Sequence, residues 1–520
     1  TMSEKEYIVS LNKGVDYAAF NQEMIATTGA GAIPDRSVDV ADARLGSERN
    51  THYSLTDAEA EALRADGRVY GVTLLPDLDP NLGIGRRAKQ TGNFTKTTLD
   101  RGNYLNWGMR RVNEATNPYT GVDVTGDYNY TLDGTGVDVV IMDSGIQADH
   151  PEFQDAQGAS RVQQINWATE SGLAFTQNVN HYRDYDGHGT HVAGTVAGKT
   201  YGWAKNARIY SVKLAGLEGA GDSGTGISST YAFDCIKLWH RNKPVDPTTG
   251  VKRPTVVNMS WGYLNGYDTV INLTYRGVLK TGTDIDSSAK RWAFGLVPTS
   301  GAGVGRTYSS NIRVPSVDID LEELIDEGVH VCIAAGNRYH KIDVPSGADY
   351  SNFIAANTGS VEYHKGSSPY SVEAHIVGNI DSVEHAGGLE QKAASSECGP
   401  GVSVYAPGTD IMSAMSTINS FSANTVDNPY PANAAFLISN ITGTSMASPQ
   451  VAGMLSLWLQ LNPSATPAQS LAFISATAKT SQIYETGSAV DYTESRSLLD
   501  SENKFLFNKF NSSIQLRIGN

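Results

Sequence analysis

Short apolar runs separated by polar, glycine-rich segments set the pattern of this chain. Residues 137–142 and 329–335 are runs of strand length that are apolar except at Asp138 and His330, a pattern typical of strands buried on both faces of a parallel sheet. From Val451 to Trp458 the apolar positions instead recur at helical spacing, and Pro463 predicts the end of that helix. Strands and helices are therefore both expected in the body of the chain.

The first 79 residues predict a small α+β unit of their own. Thr56 and Glu59 have the spacing of a helix capping box, in which each side chain binds the other residue's backbone N–H. The expected elements are a strand at 7–11, a helix at 17–24, a helix that begins after Thr56 and a strand at 68–75.

Residues 80–104 lack periodicity and are rich in Gly, Asn, Thr and basic residues, which predicts a linker. Any cleavage of the chain is expected between about Leu78 and Tyr104. The Arg86-Arg87 pair has two interpretations, a processing pair or two solvated arginines.

The remaining residues are expected to form one body at 105–480 and a tail at 481–520 that packs on it. Two polar stretches near 263–316 and 417–435 predict insertions into the body, because structureless segments of this length are uncommon inside compact domains.

Composition excludes several classes of protein. The net charge of -15 and the pI near 5.2 argue against nucleic acid or an anionic membrane as partner. No apolar run reaches the roughly 20 residues of a membrane span. The first residues lack a basic segment followed by an apolar core, so we expect an intracellular or virion-associated protein, unless a leader was removed. Three cysteines are too few for a disulfide framework.

Candidate chemistry lies at three separated points. Ser445 follows a glycine-threonine turn directly before the predicted helix, where free N–H groups point towards whatever the hydroxyl attacks. A nucleophilic serine needs a base and a carboxylate that orients the base. Asp143 ends a predicted buried strand, and His188 stands in a glycine-rich turn before a small-residue helix. The three therefore occur in the order Asp, His, Ser.

The segments around these residues resemble the blocks of the subtilisin-like serine proteases, or subtilases. The resemblance extends from about Trp107 to about Pro463. A fourth block, which ends at Asn337, resembles the family strand that carries the oxyanion-hole asparagine. The resemblance implies an α/β fold with a doubly wound, mostly parallel sheet flanked by helices, preceded by a small α+β propeptide-like domain.

The resemblance also implies roles for residues. It makes Asp143, His188 and Ser445 the catalytic triad, with the Asn337 side chain and the Ser445 backbone N–H as the oxyanion hole. His191 is expected to be structural, and Asp184 and Asp186 to be loop or cap residues. Segments expected to hold a substrate backbone as an added strand contain Gly219, Ala220, Gly221, Ser260, Trp261, Gly262, Ala335 and Gly336.

The N-terminal unit resembles a subtilase propeptide, which helps the protease to fold and then inhibits it; a generic α+β domain is the alternative. No cofactor is expected to be required. Some family members bind calcium, and Glu152 falls where a ligand often lies, so calcium is a possible stabilising ion without an assigned site.

The expected function is that of a serine endopeptidase that acts on polypeptides through an acyl-enzyme and is made as a self-processing zymogen. Two alternatives stay open. The chain could be a structural or assembly component, for example a virion protein, that carries a protease domain. It could also pass the acyl group to an amine, as a ligase or macrocyclase does.

Overall fold

The computed structural model describes residues 4–26, 29–30, 33–34, 36–86, 89–90, 106–114, 117, 130–296, 308–420, 427–485 and 496–509. The strands are β1 Lys5–Leu11, β2 Gly29–Ala30, β3 Ile33–Pro34, β4 Val40–Asp42, β5 Asn50–Leu55, β6 Val69–Leu74, β7 Leu82–Arg86, β8 Lys89–Gln90, β9 Asp138–Asp143, β10 Val162–Gln163, β11 Arg208–Lys213, β12 Thr255–Met259, β13 Trp261–Tyr267, β14 Val270–Tyr275, β15 Val278–Lys280, β16 Tyr308–Asn311, β17 His330–Ala334, β18 Phe353–Ala356, β19 Gly359–Glu362, β20 His375–Ile380, β21 Val404–Pro407, β22 Ile411–Met415, β23 Asn428–Tyr430, β24 Asn433–Thr442, β25 Lys479–Thr480 and β26 Lys504–Phe505. The α-helices are α1 Tyr17–Ile25, α2 Asp57–Arg64, α3 Trp107–Asn113, α4 Trp167–Ser171, α5 His188–Ala197, α6 Ser229–Asn242, α7 Ser288–Trp292, α8 Pro315–Asp326, α9 Thr444–Leu461 and α10 Pro467–Thr477.

The N-terminal unit is a four-stranded antiparallel sheet in the order β4-β5-β1-β6. Phe20 of α1 and Leu63 of α2 share one apolar cluster with Val9 of the sheet, so both helices cover the same core. Thr56 and Glu59 form the predicted capping box at the start of α2. This α+β unit confirms that part of the predicted fold class.

A nine-stranded sheet forms the body, in the order β10-β11-β9-β12-β17-β20-β21-β26-β25. All its neighbouring strands run parallel except β25 and β26. Every residue of β9, β12 and β17 is buried, as continuous apolar runs predict, and α9 packs on this central part of the sheet. The carboxyl ends of the three strands meet at one edge, where α/β proteins place their binding sites.

The predicted insertion at 263–316 contains regular structure that local periodicity did not indicate. Strands β14 and β15 form a hairpin, and β14 pairs with β18, which begins about eighty residues later. A separate apolar cluster that includes Leu273, Leu296 and Ile354 packs beneath this sheet. The strands were missed because their pairing partners lie far away in sequence. Residues 297–307 of this insertion and 421–426 of the second lie outside the described residues.

The predicted linker also contains strands. Strand β7 pairs antiparallel with β13, and β8 pairs with β24. Glycines at positions 83 and 85 leave only Leu82 and Ile84 as apolar residues in β7, too few for a clear strand pattern, and glycine itself is unfavourable in strands. The pairing therefore depends on β13, about 180 residues away. Residues 91–105 lie outside the described part.

The apolar centre of the C-terminal tail is buried. Phe505 and Leu506 pack in the main core, and β26 adds to the sheet beside β21. Residues 486–495 and 510–520 lie outside the described part. Within the described residues, no helix has both the length and the apolar character that a membrane crossing requires. The cysteines Cys235, Cys332 and Cys398 are free and buried.

Candidate active site

Asp143 and His188 meet at the carboxyl edge of the main sheet. Asp143 is the last residue of β9, and His188 is the first residue of α5. The two side chains are fully buried, and His188 Nδ1 lies 2.7 Å from Asp143 Oδ1. The Ser144 backbone N–H donates to the same oxygen at 2.8 Å. Because an ionised carboxylate only accepts hydrogen bonds, this contact fixes the tautomer in which Nδ1 carries the proton and Nε2 is basic.

Ser445 lies in the first turn of α9, where the sequence predicted it. Its Oγ donates to the Ser260 carbonyl oxygen at 2.9 Å, and Ser260 Oγ donates back to the Ser445 carbonyl oxygen at 2.9 Å. Asn258 supports this pair, because its Nδ2 donates to Ser260 Oγ at 2.8 Å and its Oδ1 accepts from Ser448 Oγ at 2.7 Å. The end of β12 is thereby tied to the start of α9. Sequence analysis did not identify Asn258, for which a buried polar residue in an apolar strand was the available signal.

Asn337 follows β17 and contacts the residue before the serine. Its Oδ1 accepts from Thr444 N at 3.0 Å and from Thr444 Oγ1 at 3.1 Å. Thr444 Oγ1 in turn accepts from the Gly336 N–H at 3.0 Å. Both contacts to Oδ1 come from donors, so the amide orientation is determined and Nδ2 is the group that faces away from Thr444. Thr444 is a second residue that sequence analysis left without a role.

Gly336 and Ala335 lie at the predicted substrate-binding segment after β17. Ala335 donates its backbone N–H to Val377 at 2.9 Å, inside the body. Gly336 has φ 126°, and a Cβ atom there would lie 2.8 Å from Glu397 Cγ. Only glycine fits this close approach without displacing Glu397.

The chain's own linker pairs with the predicted substrate-binding strand. In β13, Trp261 pairs with Arg86 and Gly262 pairs with Gly85, both in antiparallel register. Farther along the linker, Lys89 of β8 pairs with Thr442, three positions before Ser445. The two linker strands therefore pair with two different segments next to the serine, β13 after Ser260 and β24 before Gly443.

The other predicted substrate-binding segment, Gly219-Ala220-Gly221, is displaced from the linker. A Cβ on Gly219 would lie 3.0 Å from the Tyr185 carbonyl oxygen, and one on Gly221 would lie 3.6 Å from the Tyr185 ring. Gly216, by contrast, faces Ile84 of β7. The loop takes this course because the Glu218 carboxylate accepts from the Gly216 N–H at 2.6 Å and from the Gly224 N–H at 3.3 Å.

His191 and Glu152 both have structural contacts. Nε2 of His191 lies 2.9 Å from the carbonyl oxygens of Ile411 and Ser439, and burial lowers the pKa of this ring to about 3. Glu152 is buried and accepts from the Thr200 N–H and the Tyr430 hydroxyl, each at 2.9 Å, and from the Tyr201 N–H at 3.2 Å. The Glu152 carboxylate thus connects residues 200–201 to residue 430 through hydrogen bonds from protein donors. Glu152 is therefore not assigned as a calcium ligand.

Across the described residues, one group of three carboxylates lies close enough to share a cation, namely Asp234, Asp320 and Glu323. Arg44 of the N-terminal unit donates to Asp234 at 3.1 Å and to Asp320 at 2.8 Å. Lys237 pairs with Glu323 at 2.7 Å. Burial raises the pKa of Asp320 to about 7 although the Arg44 charge opposes this shift. Protein cations therefore neutralise this acidic group.

Comparison with known proteins places the chain in one family. The Subtilase family model matches residues 134–501, more than half of the 520 residues. Alkaline serine exoprotease A of Vibrio alginolyticus is 26% identical over 385 residues, which cover 74% of this chain and 49% of that protein. Extracellular serine proteinase of Thermus sp. (strain Rt41A) is 28% identical over 364 residues, 70% of this chain and 59% of that protein. The chain thus spans about half the length of these relatives.

Among solved structures, fervidolysin from Fervidobacterium pennivorans, described as a keratinolytic enzyme related to subtilisin, is similar with a TM-score of 0.53 at 18% identity. The match covers 99% of this chain and 61% of that one, and it supports the fold. The predicted subtilisin-like fold is confirmed, and the chain belongs to the subtilase family.

Proposed function

We propose that this protein is a serine endopeptidase in which Ser445 is the nucleophile, His188 the general base and Asp143 the residue that orients the base. The observation that carries the proposal is the buried 2.7 Å contact between Asp143 and His188 at the sheet edge where α9 presents a serine. Hydrolysis of a denatured polypeptide by the purified chain, with Ser445→Ala as the inactive variant, tests it.

The proposed reaction begins when the Ser445 hydroxyl turns from the Ser260 carbonyl towards His188 Nε2. Oγ attacks the scissile carbonyl while Nε2 takes the hydroxyl proton, and Asp143 stabilises the imidazolium that forms. His188 then donates this proton to the leaving amine, and the acyl-enzyme remains on Ser445. A water molecule activated by His188 releases the acid and restores the serine.

The tetrahedral intermediate carries a negative oxygen that needs donors held in advance. The proposed donors are Asn337 Nδ2 and the Ser445 backbone N–H at the start of α9. Thr444 supports this role, because its two donors to Asn337 Oδ1 leave the amide group to face the oxyanion.

Replacement of Asn337 tests this donor. Asn337→Leu removes the amide at nearly constant size, and we expect kcat to fall about 10²- to 10³-fold, the usual loss for one oxyanion donor. KM should change little, since the donor acts on charge that develops only in the transition state. Steady-state kinetics on a chromogenic peptide measure both constants, and an unchanged kcat would remove Asn337 from the oxyanion hole.

We further propose that the N-terminal unit is an intramolecular inhibitor and that the linker is the first substrate. Three features support this: β7 lies on β13 as an added strand, Ser260 at the amino end of β13 contacts Ser445, and β8 lies beside Thr442. Backbone pairing of this kind gives affinity with little demand on side chains. Self-cleavage is therefore expected at one of the three bonds that join Arg86 to Lys89. Residues 87 and 88 lie outside the described part, and intact mass of the processed chain would identify the bond.

Arg44 is the proposed anchor of this inhibitor on the body. It adopts a left-handed backbone conformation with φ 46°, and its side chain is buried between α6 and α8. Asn50 adds a second contact from the same unit, because its Nδ2 donates to Asp320 at 2.9 Å. Removal of one partner from a buried ion pair leaves an uncompensated charge, at a cost of about 3–5 kcal/mol.

Arg44→Gln should therefore release the cleaved N-terminal unit more readily. We expect its affinity for the body to fall about 10²- to 10³-fold, from the cost of the broken pair. Peptidase activity should then appear with a shorter lag. Co-elution of the two fragments in size exclusion, together with the activity time course, measures this release.

Lys13→Gln is the matched control, because Lys13 and Asp326 pair at 2.9 Å across the same interface while both remain well exposed. Exposed pairs contribute about 0–1 kcal/mol, so this variant should behave like the wild type. Equal release from both variants would contradict the role of Arg44.

The reported matches favour a protease over an assembly component or a ligase. Product mass in the presence of a competing amine separates hydrolysis from ligation, because only ligation adds the mass of the amine.

A further inference from the structure

Asp184 is a buried carboxylate in the loop before His188, which the sequence predicted only as a loop or cap residue. It accepts five hydrogen bonds from two separate parts of the site. The donors are Ser144 Oγ at 2.9 Å, Asp186 N at 3.2 Å, Gly187 N at 2.8 Å, Thr190 N at 2.9 Å and Thr190 Oγ1 at 2.5 Å.

These contacts join the turn after Asp143 to the first turn of α5. Ser144 donates its backbone N–H to Asp143 Oδ1 and its hydroxyl to Asp184, while its Oγ accepts from Gly189 N at 2.8 Å. Thr190, on the helix that begins with His188, holds the other carboxylate oxygen. On the basis of the proposed function, we infer that Asp184 is a positioning residue that sets the contact between Asp143 and His188 and supplies a fixed negative charge beside it.

The hydrogen bonds suit the ionised form of Asp184. Thr190 Oγ1 accepts from Gln147 N at 3.0 Å, and Ser144 Oγ accepts from Gly189 N, so each hydroxyl has its proton available for Asp184. All five partners can therefore donate, and an ionised carboxylate has enough lone pairs to accept from all of them. Burial raises the pKa of Asp184, and these donors oppose the shift.

A negative charge here favours the protonated imidazole of the base. Four other titratable groups surround His188, namely Asp143 on β9, Asp186 in the same loop, His191 one turn along α5 and Lys213 of β11. The Lys213 backbone pairs with that of Asp143, and its ammonium group forms an ion pair with Asp222. None of them changes when Asp184 is replaced. Loss of its charge should therefore make His188 harder to protonate.

Asp184→Asn in the full chain tests both effects. The amide must turn its NH₂ towards donors on one side, which breaks the connection to Ser144 or to Thr190. We expect kcat to fall about tenfold or more while KM stays unchanged, a loss typical of a misplaced base. The acid limb of the kcat/KM pH profile should also move to lower pH, which a merely structural role would not cause.

Glu152→Gln is the matched control. It replaces another buried carboxylate that accepts backbone N–H and hydroxyl donors, near the far end of α5. The melting temperature of this variant should fall, while the acid limb of its kcat/KM pH profile should stay at the wild-type pH. If the acid limb of Asp184→Asn lies at the same pH as that of Glu152→Gln, the inference that Asp184 supplies a negative charge beside His188 is overturned.

If Asp184→Asn does not fold, Ser144→Ala keeps the charge and removes the connection to the Asp143 turn. This variant should lower kcat without moving the acid limb, and a wild-type kcat would overturn the positioning role. Activity of Ser445→Ala close to that of the wild type would instead contradict the proposed function, so the two failures can be distinguished.

Discussion

Ser445→Ala is expected to leave the chain uncut and to lower kcat for peptide hydrolysis about 10⁶-fold, as loss of the nucleophile does in other serine proteases. The substitution removes one oxygen atom and the hydrogen bond that Oγ donates to Ser260. The reciprocal bond from Ser260 Oγ is accepted by the backbone carbonyl of residue 445, which alanine retains, and so it remains. The fold should therefore survive while the chemistry is lost.

Two measurements check this result together. Intact mass follows processing, because the wild type should lose its N-terminal unit and the variant should keep it. Initial rates on a peptide substrate follow turnover, and the remaining rate should reflect only binding and the oxyanion donors. A variant that still cuts itself would contradict the assignment of Ser445, provided that dilution shows the cleavage to be intramolecular.

Ser448→Ala is the matched control for this experiment. Ser448 lies on the same helix, is equally buried and donates its hydroxyl to Asn258. It therefore tests the loss of a neighbouring buried hydroxyl without removing the proposed nucleophile. We expect its activity to stay within about tenfold of the wild type, since one neutral hydrogen bond contributes about 1 kcal/mol.

Sequence patterns predicted the catalytic candidates because each has a local cause. Asp143 ends a strand with a continuous apolar centre at 139–142, and His188 and Ser445 each stand where a glycine-rich turn becomes a helix. Such junctions can be recognised within about ten residues of sequence. The proximity of Asp143 and His188 then follows from parallel strands whose carboxyl ends share one edge.

Features that depend on distant partners could not be predicted in this way. Arg44 is one charged residue in a polar stretch, and its burial arises from Asp234 and Asp320 on two helices of the body. The segment Gly219-Ala220-Gly221 follows β11 where the family resemblance implies a substrate-binding segment. The loop geometry set by Glu218 brings Gly216 to the linker instead, which spacing alone does not reveal.

Asp143→Asn should lower kcat about 10⁴-fold, the loss seen when an amide replaces the carboxylate of a serine-protease triad. The 2.7 Å contact requires Nδ1–H to donate to an acceptor. An asparagine amide can present NH₂ at this position, which favours the tautomer with the proton on Nε2. The base would then hold a proton where it must accept one.

The loss should lie in kcat, and KM should stay near its wild-type value, because the Asp143 carboxylate bonds to the His188 ring and the Ser144 backbone N–H, which are outside the proposed binding segments. Asp186→Asn is the matched control. Asp186 also lies beside His188, and its Oδ1 accepts from the His188 backbone N–H at 3.2 Å, whereas Asp143 makes the 2.7 Å contact to the ring nitrogen Nδ1. Its kcat should fall by less than about tenfold, the scale of one hydrogen bond. Equal losses in the two variants would mean that any nearby carboxylate can serve, and the specific role of Asp143 in orienting the ring would be wrong.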